Sequence, residues 1–522
     1  MKTKIFLIAA AVVMMTGCRM ESDDVLNYAH QDEMAFSKAE GSYAAKFDVV
    51  WSGMNANYAL WDYEYTQGLD WDKVYEEFRP RFVALDSSKT AVTDDQLKAL
   101  LDSMVAPLHD GHLAIQMKNH ATGEYVSSMP GLMRIMRERN DEYKAVQSKN
   151  MLLTYYEKKG ELKDYKMINS NTLQTVALKA YEYMATVILR LSSIPEADRT
   201  PEQSDTIRLY KQISSEMEVP LARAITLGDK TGIQEFNNIA YKYEYLHIPY
   251  LAPVDPVINE YGINVTYALF KDNIAYLSFD GFTLSAYLEP EYTKEIFAGC
   301  SDATMALVKE VGDVWRAWFN AIQELHKAGT LKGVIIDVRS NGGGFLNDSK
   351  FVLGALMPAG GFQDCNARLK RGSGRFDYSP LIPQMMPTLE SEHVTVNEPV
   401  VVLCNCASVS MAEHTSYGAK LMKNGTLIGT RTWGGFSALS DAGTYTNNYA
   451  GYVGVRGVTP VFCYIPQEVA LTMEGNTVEE NIVEGHGIDP DIEVALDVAT
   501  LDDGNGADSQ LDRAIQFIKE NG

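Results

Sequence analysis

A chain of 522 residues is long enough for two or three domains and a sizeable core. Apolar residues at 46% and charged residues at 22% are ordinary globular proportions. The formal net charge of −23 argues against a polyanion such as nucleic acid as partner, because phosphate contacts need clustered Lys and Arg; it reads most simply as a soluble acidic surface. At the N-terminus, Lys2 and Lys4 precede an apolar run over residues 5–15, which has the length of a secretory signal and is too short for a spanning helix. No later stretch is apolar enough to cross a bilayer.

The run closes on "MTGC". Small residues before a cysteine here resemble the bacterial lipoprotein signal, which implies a signal peptide over 1–17, cleavage, and lipid on Cys18. The alternative is an ordinary signal peptide with a chance cysteine. The "RMESDD" that follows Cys18 resembles the surface-export signal of Bacteroidetes lipoproteins. These resemblances imply an outer-membrane lipoprotein facing the periplasm or the cell surface, anchored by its N-terminal lipid.

Residues 18–46 read as a tether. Over 47–115 the pattern is mainly helical: Asp70 opens a helix in which Trp71, Val74, Tyr75 and Phe78 recur at helical spacing, and the region ends in "LHDGHLAI", a turn at Gly111 feeding a short strand. Residues 116–265 read as a mainly helical insertion or cap, with Leu173, Val176, Ala180, Met184, Val187 and Leu191 forming one stripe. Over 266–500 strands and helices alternate. "NIAYLSF", "GVIIDV" and "PVVVLCN" are strands, the last two with the continuous apolar character of burial on both faces. Val314, Trp318, Ile322 and Leu325 line a helix; residues 410–423 form another, stopped by Asn424-Gly425, with "TLIGT" as the next strand. This order predicts an α/β core around a largely parallel sheet, with a C-terminal helix in 501–522. Beyond Cys18, the five cysteines (300, 365, 404, 406 and 463) make no disulfide framework, and Cys404-x-Cys406 reads as small core residues of a buried strand.

Four pieces carry chemistry. Ser410 follows a buried strand and opens a helix, where α/β proteins build their sites and where a helix N-terminus favours developing negative charge. The amide of Met411 would then point toward an oxyanion. Alone, Ser410 is as readily a plain N-cap, and Ser408 competes for its role. Gly342, Gly343 and Gly344 end the strand "IIDVRSNGGGF" and leave backbone amides free to donate; a flexible turn is the bland reading, and no phosphate-loop pattern is present. His112 in "HDGHLAI" is a natural base for a serine, although His109 and His112 could bind metal if a third ligand existed at suitable spacing, and none is evident. Glu484 in "IVEGHGIDPDIEV" could orient a histidine.

Taken in order, "DGHL", "GVIIDVRSNGGG", "SVSMAEHTSYGAKLMKNGTLIGTRTWGG" and "VEGHGIDPDIEV" resemble the tail-specific, or C-terminal processing, serine peptidases, and within them the tricorn-core-like branch. The resemblance implies a ClpP/crotonase-like α/β core and a serine-type peptidase with no cofactor and no metal. Processing peptidases place a lysine base in a "TFGKG"-like turn; here Gly435 stands in that place. The tricorn-like branch uses instead an upstream histidine oriented by a glutamate. Carried over, Ser410 is the nucleophile, His112 the base and Glu484 the orienter, with oxyanion donors at Met411 and Gly344. Two departures stand out. Gly111 replaces the serine that precedes the base histidine in tricorn, and Met411 replaces the aspartate after its nucleophile. No PDZ pattern is found. The resulting expectation is a cell-envelope peptidase that cleaves peptides or unfolded proteins through an acyl-enzyme, and that could also self-associate. The alternatives are an inactive peptidase-fold lipoprotein that binds peptides or a partner, and an esterase on the same triad, the latter disfavoured by the lack of G-x-S-x-G.

Overall fold

A computed structural model describes residues 39–147, 153–169, 172–227, 230–255, 257, 261–371, 374–390, 392–439, 452–454, 457, 459–471, 484–497 and 507–522. The signal peptide, Cys18 and most of the tether lie outside the described residues. Among the described residues, no helix is long and apolar enough to cross a membrane.

The centre is a seven-stranded sheet in the order Ile492–Glu493, Gly425–Gly429, Val400–Cys404, Gly333–Asp337, Ile274–Phe279, Asn264–Phe270, Leu162–Asn169. The first five strands run parallel and the last two antiparallel. Every residue of Gly333–Asp337 and Val400–Cys404 is buried, as expected of inner parallel strands covered on both faces. One cover is the helix Asp302–Lys327, which turns Val314, Trp318 and Ile322 into the core. The other includes the C-terminal helix Ser509–Asn521, with Leu511, Ala514 and Ile518 against Ile335, Val401 and Leu403. The molecule is therefore a mixed α/β fold.

The N-terminal helices Tyr43–Asn57, Trp61–Thr66, Trp71–Asp86 and Asp94–Val105 build a second core. Asp70 caps the third, accepting from the N–H of Asp72. This core packs on a small antiparallel sheet in which Ala114–Lys118 pairs with Val461–Tyr464, Ala114 opposite Tyr464 and Ile115 opposite Cys463. That pairing spans almost 350 positions of sequence and ties the segment after His112 to the α/β half. The region 116–265 holds the long helices Thr172–Ser192, Pro201–Leu227 and Lys230–Lys242, and it also contributes strands. Tyr125–Ser128 joins the small sheet, and Leu162–Asn169 forms the edge of the central one. The edge strand escapes a reading by period because "LKDYKMIN" is polar on its outward face and carries a bulge at Leu162/Asp164.

Arg339 fastens the C-terminal helix. Its guanidinium is buried and bonds Asp337 (2.6 Å), Asp508 (2.7 and 2.9 Å) and Gln510 (2.9 Å). Asp508 also caps the helix, accepting from Gln510 and Leu511. Arg339 and these backbone donors hold the Asp508 carboxyl below its ordinary value despite burial. Arg339→Ala strands two buried carboxylates and should cost ~3–5 kcal/mol in denaturant unfolding. A depressed carboxyl stabilises the fold fully above its unfolded value and loses that contribution as pH falls toward the folded one. The Asp508 contribution should thus persist at neutral pH and fade only below about pH 4, read as acid unfolding monitored by circular dichroism.

Candidate active site

The strand Val400–Cys404 delivers the chain to the carboxyl edge of the sheet, where the side chains of residues 405–410 divide the work. Ser408 is fully buried; its hydroxyl donates to the carbonyl of Val338 (2.8 Å) and accepts from the N–H of Asn405 (3.0 Å). Ser408 is therefore a brace. Ser410 is half-buried and caps the helix Met411–Leu421 in a rare conformation, φ 57° and ψ −118°. A non-glycine residue held there costs ~1–3 kcal/mol and persists only where its surroundings impose it. Its N–H donates to the carbonyl of Gly435 (3.1 Å).

Gly343 lies flat against this corner: a Cβ on it would come within 2.5 Å of the Ser410 Cβ and 3.0 Å of the Met411 nitrogen. Gly344, at φ 145°, passes so close to Phe282 that a Cβ would fall 2.2 Å from its carbonyl oxygen. Among the described residues, the N–H groups of Met411 and Gly344 donate to no acceptor. Two free amides beside a strained serine form the arrangement that can receive an oxyanion. Gly344 also lines a cleft of about 580 Å³ with Tyr261, Phe345, Leu439 and Glu468.

His112 reaches the same turn from the other half of the molecule. Its Nδ1 lies 3.3 Å from where a Cβ on Gly435 would be, so the imidazole fills the space next to the position of the absent lysine. Gly111 packs on Gly434 and Gly435 so tightly that a Cβ would fall 2.3 Å from the Gly434 oxygen. The serine missing before His112 could not be housed in this geometry.

Glu484 is buried and accepts three backbone N–H groups: Gly111 (2.8 Å), Phe436 (3.0 Å) and Ser437 (2.8 Å). It lies within 4.8 Å of His112 and Asp110 by their donor atoms, but the buried His112 Nδ1 has no hydrogen-bond partner. Glu484 thus acts on the ring through its charge and through the turn it organises, rather than by a direct hydrogen bond. Burial lowers the His112 pKa below its ordinary value, opposed by Glu484. The ring is consequently neutral near pH 7, as a base must be.

The residue that the sequence reading missed is Asp110. It is fully buried, its Oδ1 accepts from the N–H of His112 (2.5 Å) and Leu113 (3.1 Å), and its Oδ2 has no partner. Burial and Glu484 hold it well above the usual carboxylate range. Its only sequence signal was adjacency, as the Asp of "HDGH". Glu413 is the second omission. Buried on the helix that Ser410 opens, it accepts from Thr432 Oγ1 (2.6 Å), Gly434 N–H (2.8 Å) and Gly435 N–H (2.7 Å), and reaches back to Ser410 N–H (3.3 Å). Burial pushes its carboxyl up to about 7 against these donors.

With this geometry in place, the family model described as Peptidase family S41 matches residues 273–494. The matched stretch is a little under half of the chain. It contains Ser410, Gly344, Met411 and Glu484, whereas His112 lies outside it. The chain is 29% identical over 187 residues to tricorn protease of Thermoplasma volcanium, an alignment covering 36% of this chain and 14% of that protein. Its identity to tricorn protease of Thermoplasma acidophilum is also 29%, over 189 residues, with 36% and 14% covered. The chain therefore spans only about a seventh of the length of these relatives. Among solved structures, mature CPAF is similar at 12% identity and a TM-score of 0.45, with 93% of this chain and 99% of that chain covered.

The contact of Gly111 with Gly434 limits what position 111 can hold. Gly111→Ser should not supply an auxiliary hydroxyl; overlap with Gly434 should instead cost ~1–3 kcal/mol of stability, seen as a lower thermal midpoint. A gain in stability with an intact turn would contradict the close packing.

Proposed function

We propose that this chain is a cell-envelope serine peptidase, anchored by lipid at Cys18, that hydrolyses peptide bonds in peptides or unfolded proteins. The observation that carries the reading is the strained Ser410 set beside two unpaired amides, Met411 and Gly344, within the stretch that the S41 family model matches. The hydroxyl of Ser410 attacks the peptide carbonyl while neutral His112 takes its proton. The resulting oxyanion is received by the Met411 and Gly344 N–H groups. His112, now cationic and stabilised by Glu484, returns the proton to the leaving amine, and water then hydrolyses the acyl-enzyme by the same steps in reverse. Asp110 positions His112 by holding its backbone N–H. A lysine at position 435 is not required, because the imidazole of His112 borders that position.

A purified chain should label with a fluorophosphonate probe and cleave casein. Ser410→Ala should abolish both, and His112→Ala should lower cleavage by ~10²–10⁴-fold. Ser408→Ala should unfold more easily without being the labelled residue. A folded wild type that neither labels nor cleaves would support the other reading, a peptide-binding lipoprotein on an inactive peptidase fold.

The pH dependence follows from His112. The base works deprotonated, so kcat/KM should fall as pH drops through its lowered pKa, with the acid limb centred below the ordinary histidine value of about 6.5. Removing the negative charge with Glu484→Gln should move that limb further down.

A further inference from the structure

A second cluster of chemically active side chains lies one helical turn beyond Ser410, around His414. The imidazole stacks on Phe436 at 3.7 Å, and its Nε2 lies 3.1 Å from the Phe436 carbonyl. A carbonyl can only accept, so Nε2 carries the hydrogen and, in the neutral ring, Nδ1 carries a lone pair. That Nδ1 faces Asp364 Oδ2 at 3.7 Å, beyond hydrogen-bond reach. Cys365 presents its thiol to the same point: one donor atom from each of Asp364, Cys365 and His414 lies within 4.8 Å of the others.

Neighbours in a strand normally face opposite ways. Here the strand Gln363–Leu369 breaks register between Gln363 and Cys365, opposite Met385 and Gln384, which makes Asp364 an extra residue. The bulge is what allows Asp364 and Cys365 to converge. Glu468, on the adjoining strand Glu468–Leu471, lies close enough that its charge is felt by His414 and Asp364.

The charge balance of this cluster is one-sided. Asp364 and Cys365 are buried, and His414 is nearly so. Among the described residues, neither Asp364 nor Glu468 pairs with a lysine or an arginine, and the Glu468 carboxylate has no hydrogen-bond partner. One imidazole, one thiol and one carboxylate are N, S and O donors that zinc-class ions take, three protein ligands leaving the fourth tetrahedral position to water or substrate. The Nε2–H to backbone carbonyl bond is the outer contact that orients a histidine ligand. Glu468 lines the cleft that also holds Gly344, which gives an ion a route in.

We propose that Asp364, Cys365 and His414 bind a divalent transition-metal ion of the zinc class beside the catalytic serine, with Glu468 as a nearby negative charge. Binding displaces the Cys365 thiol proton to solvent; thiolate, one carboxylate and a dication leave no net charge. Through His414 and Phe436 the ion braces the turn whose Phe436 N–H is held by Glu484.

The test uses the full mature chain, stripped with chelator and titrated separately with zinc and cobalt(II). The expected result is one equivalent of zinc retained after dialysis, measured by elemental analysis, and a thiolate-to-cobalt absorption band together with the intense visible bands of tetrahedral cobalt. Cys365→Ala should erase the thiolate band, and both it and His414→Gln should weaken zinc binding at least tenfold. Zinc should raise the wild-type thermal midpoint but not that of Cys365→Ala, because a ligand that binds only the folded state stabilises it. Affinity should fall as pH is lowered, since protons compete for the ligands. If His414→Gln fails to fold, the cobalt spectrum of Cys365→Ala, a small change at a buried site, decides alone. Zinc retention unchanged in Cys365→Ala, cobalt bound without a thiolate band, or no retention by folded wild type would each overturn the proposal.

Discussion

Two buried carboxylates hold this site together. Glu413 and Glu484 between them take the backbone N–H groups of Ser410, Gly434, Gly435, Phe436, Ser437 and Gly111. Those six donors come from three separate segments: the start of the serine helix, the turn after the strand Gly425–Gly429, and the loop before His112. A buried amide that is not hydrogen-bonded is costly, so a carboxylate that gathers several at once fixes the relative position of the segments that carry them. The pinned turn then presents the Gly435 carbonyl to Ser410 N–H and leaves the strained conformation of Ser410 no way to relax.

The same turn explains how one fold can exchange a lysine for a histidine. Gly435 sits where a lysine would start, and Gly111 leans against Gly434 and Gly435 at a distance that admits no side chain. This contact sets His112 beside Gly435, with Nδ1 3.3 Å from where a Cβ there would be. A lysine at 435 and a histidine at 112 would therefore compete for one space. Asp110, which accepts the N–H groups of His112 and Leu113, and Glu484, engaged with three backbone amides, flank the ring as two buried carboxyl groups.

Much of this was legible beforehand. The inner strands were visible as unbroken apolar runs, since a strand covered on both faces has no polar positions to show. Ser410 and Gly344 were legible because a serine at a strand-to-helix junction and consecutive glycines are both local features. His112 and Glu484 were assigned through resemblance, and the structure brings both to the turn around Gly435 and Phe436. Asp110 and Glu413 went unread because a carboxylate in sequence looks like a surface charge, and only burial shows otherwise. The edge strand Leu162–Asn169 was missed for a related reason: a half-exposed, bulged strand carries no clean period.

The sequence by itself determined local parts: the inner strands, the principal helices, a serine at a strand-to-helix junction, and that Gly435 cannot be a base. Tertiary structure alone decided which distant parts meet. The pairing of Ala114–Lys118 with Val461–Tyr464 accompanies the approach of His112 to Gly435, the residue whose carbonyl accepts from Ser410 N–H, and a bulge at Asp364 turns two neighbouring side chains toward His414. Local propensity and period act over a few residues. Register between remote strands, close approach of glycine backbones and desolvation of carboxylates arise only when the whole chain packs.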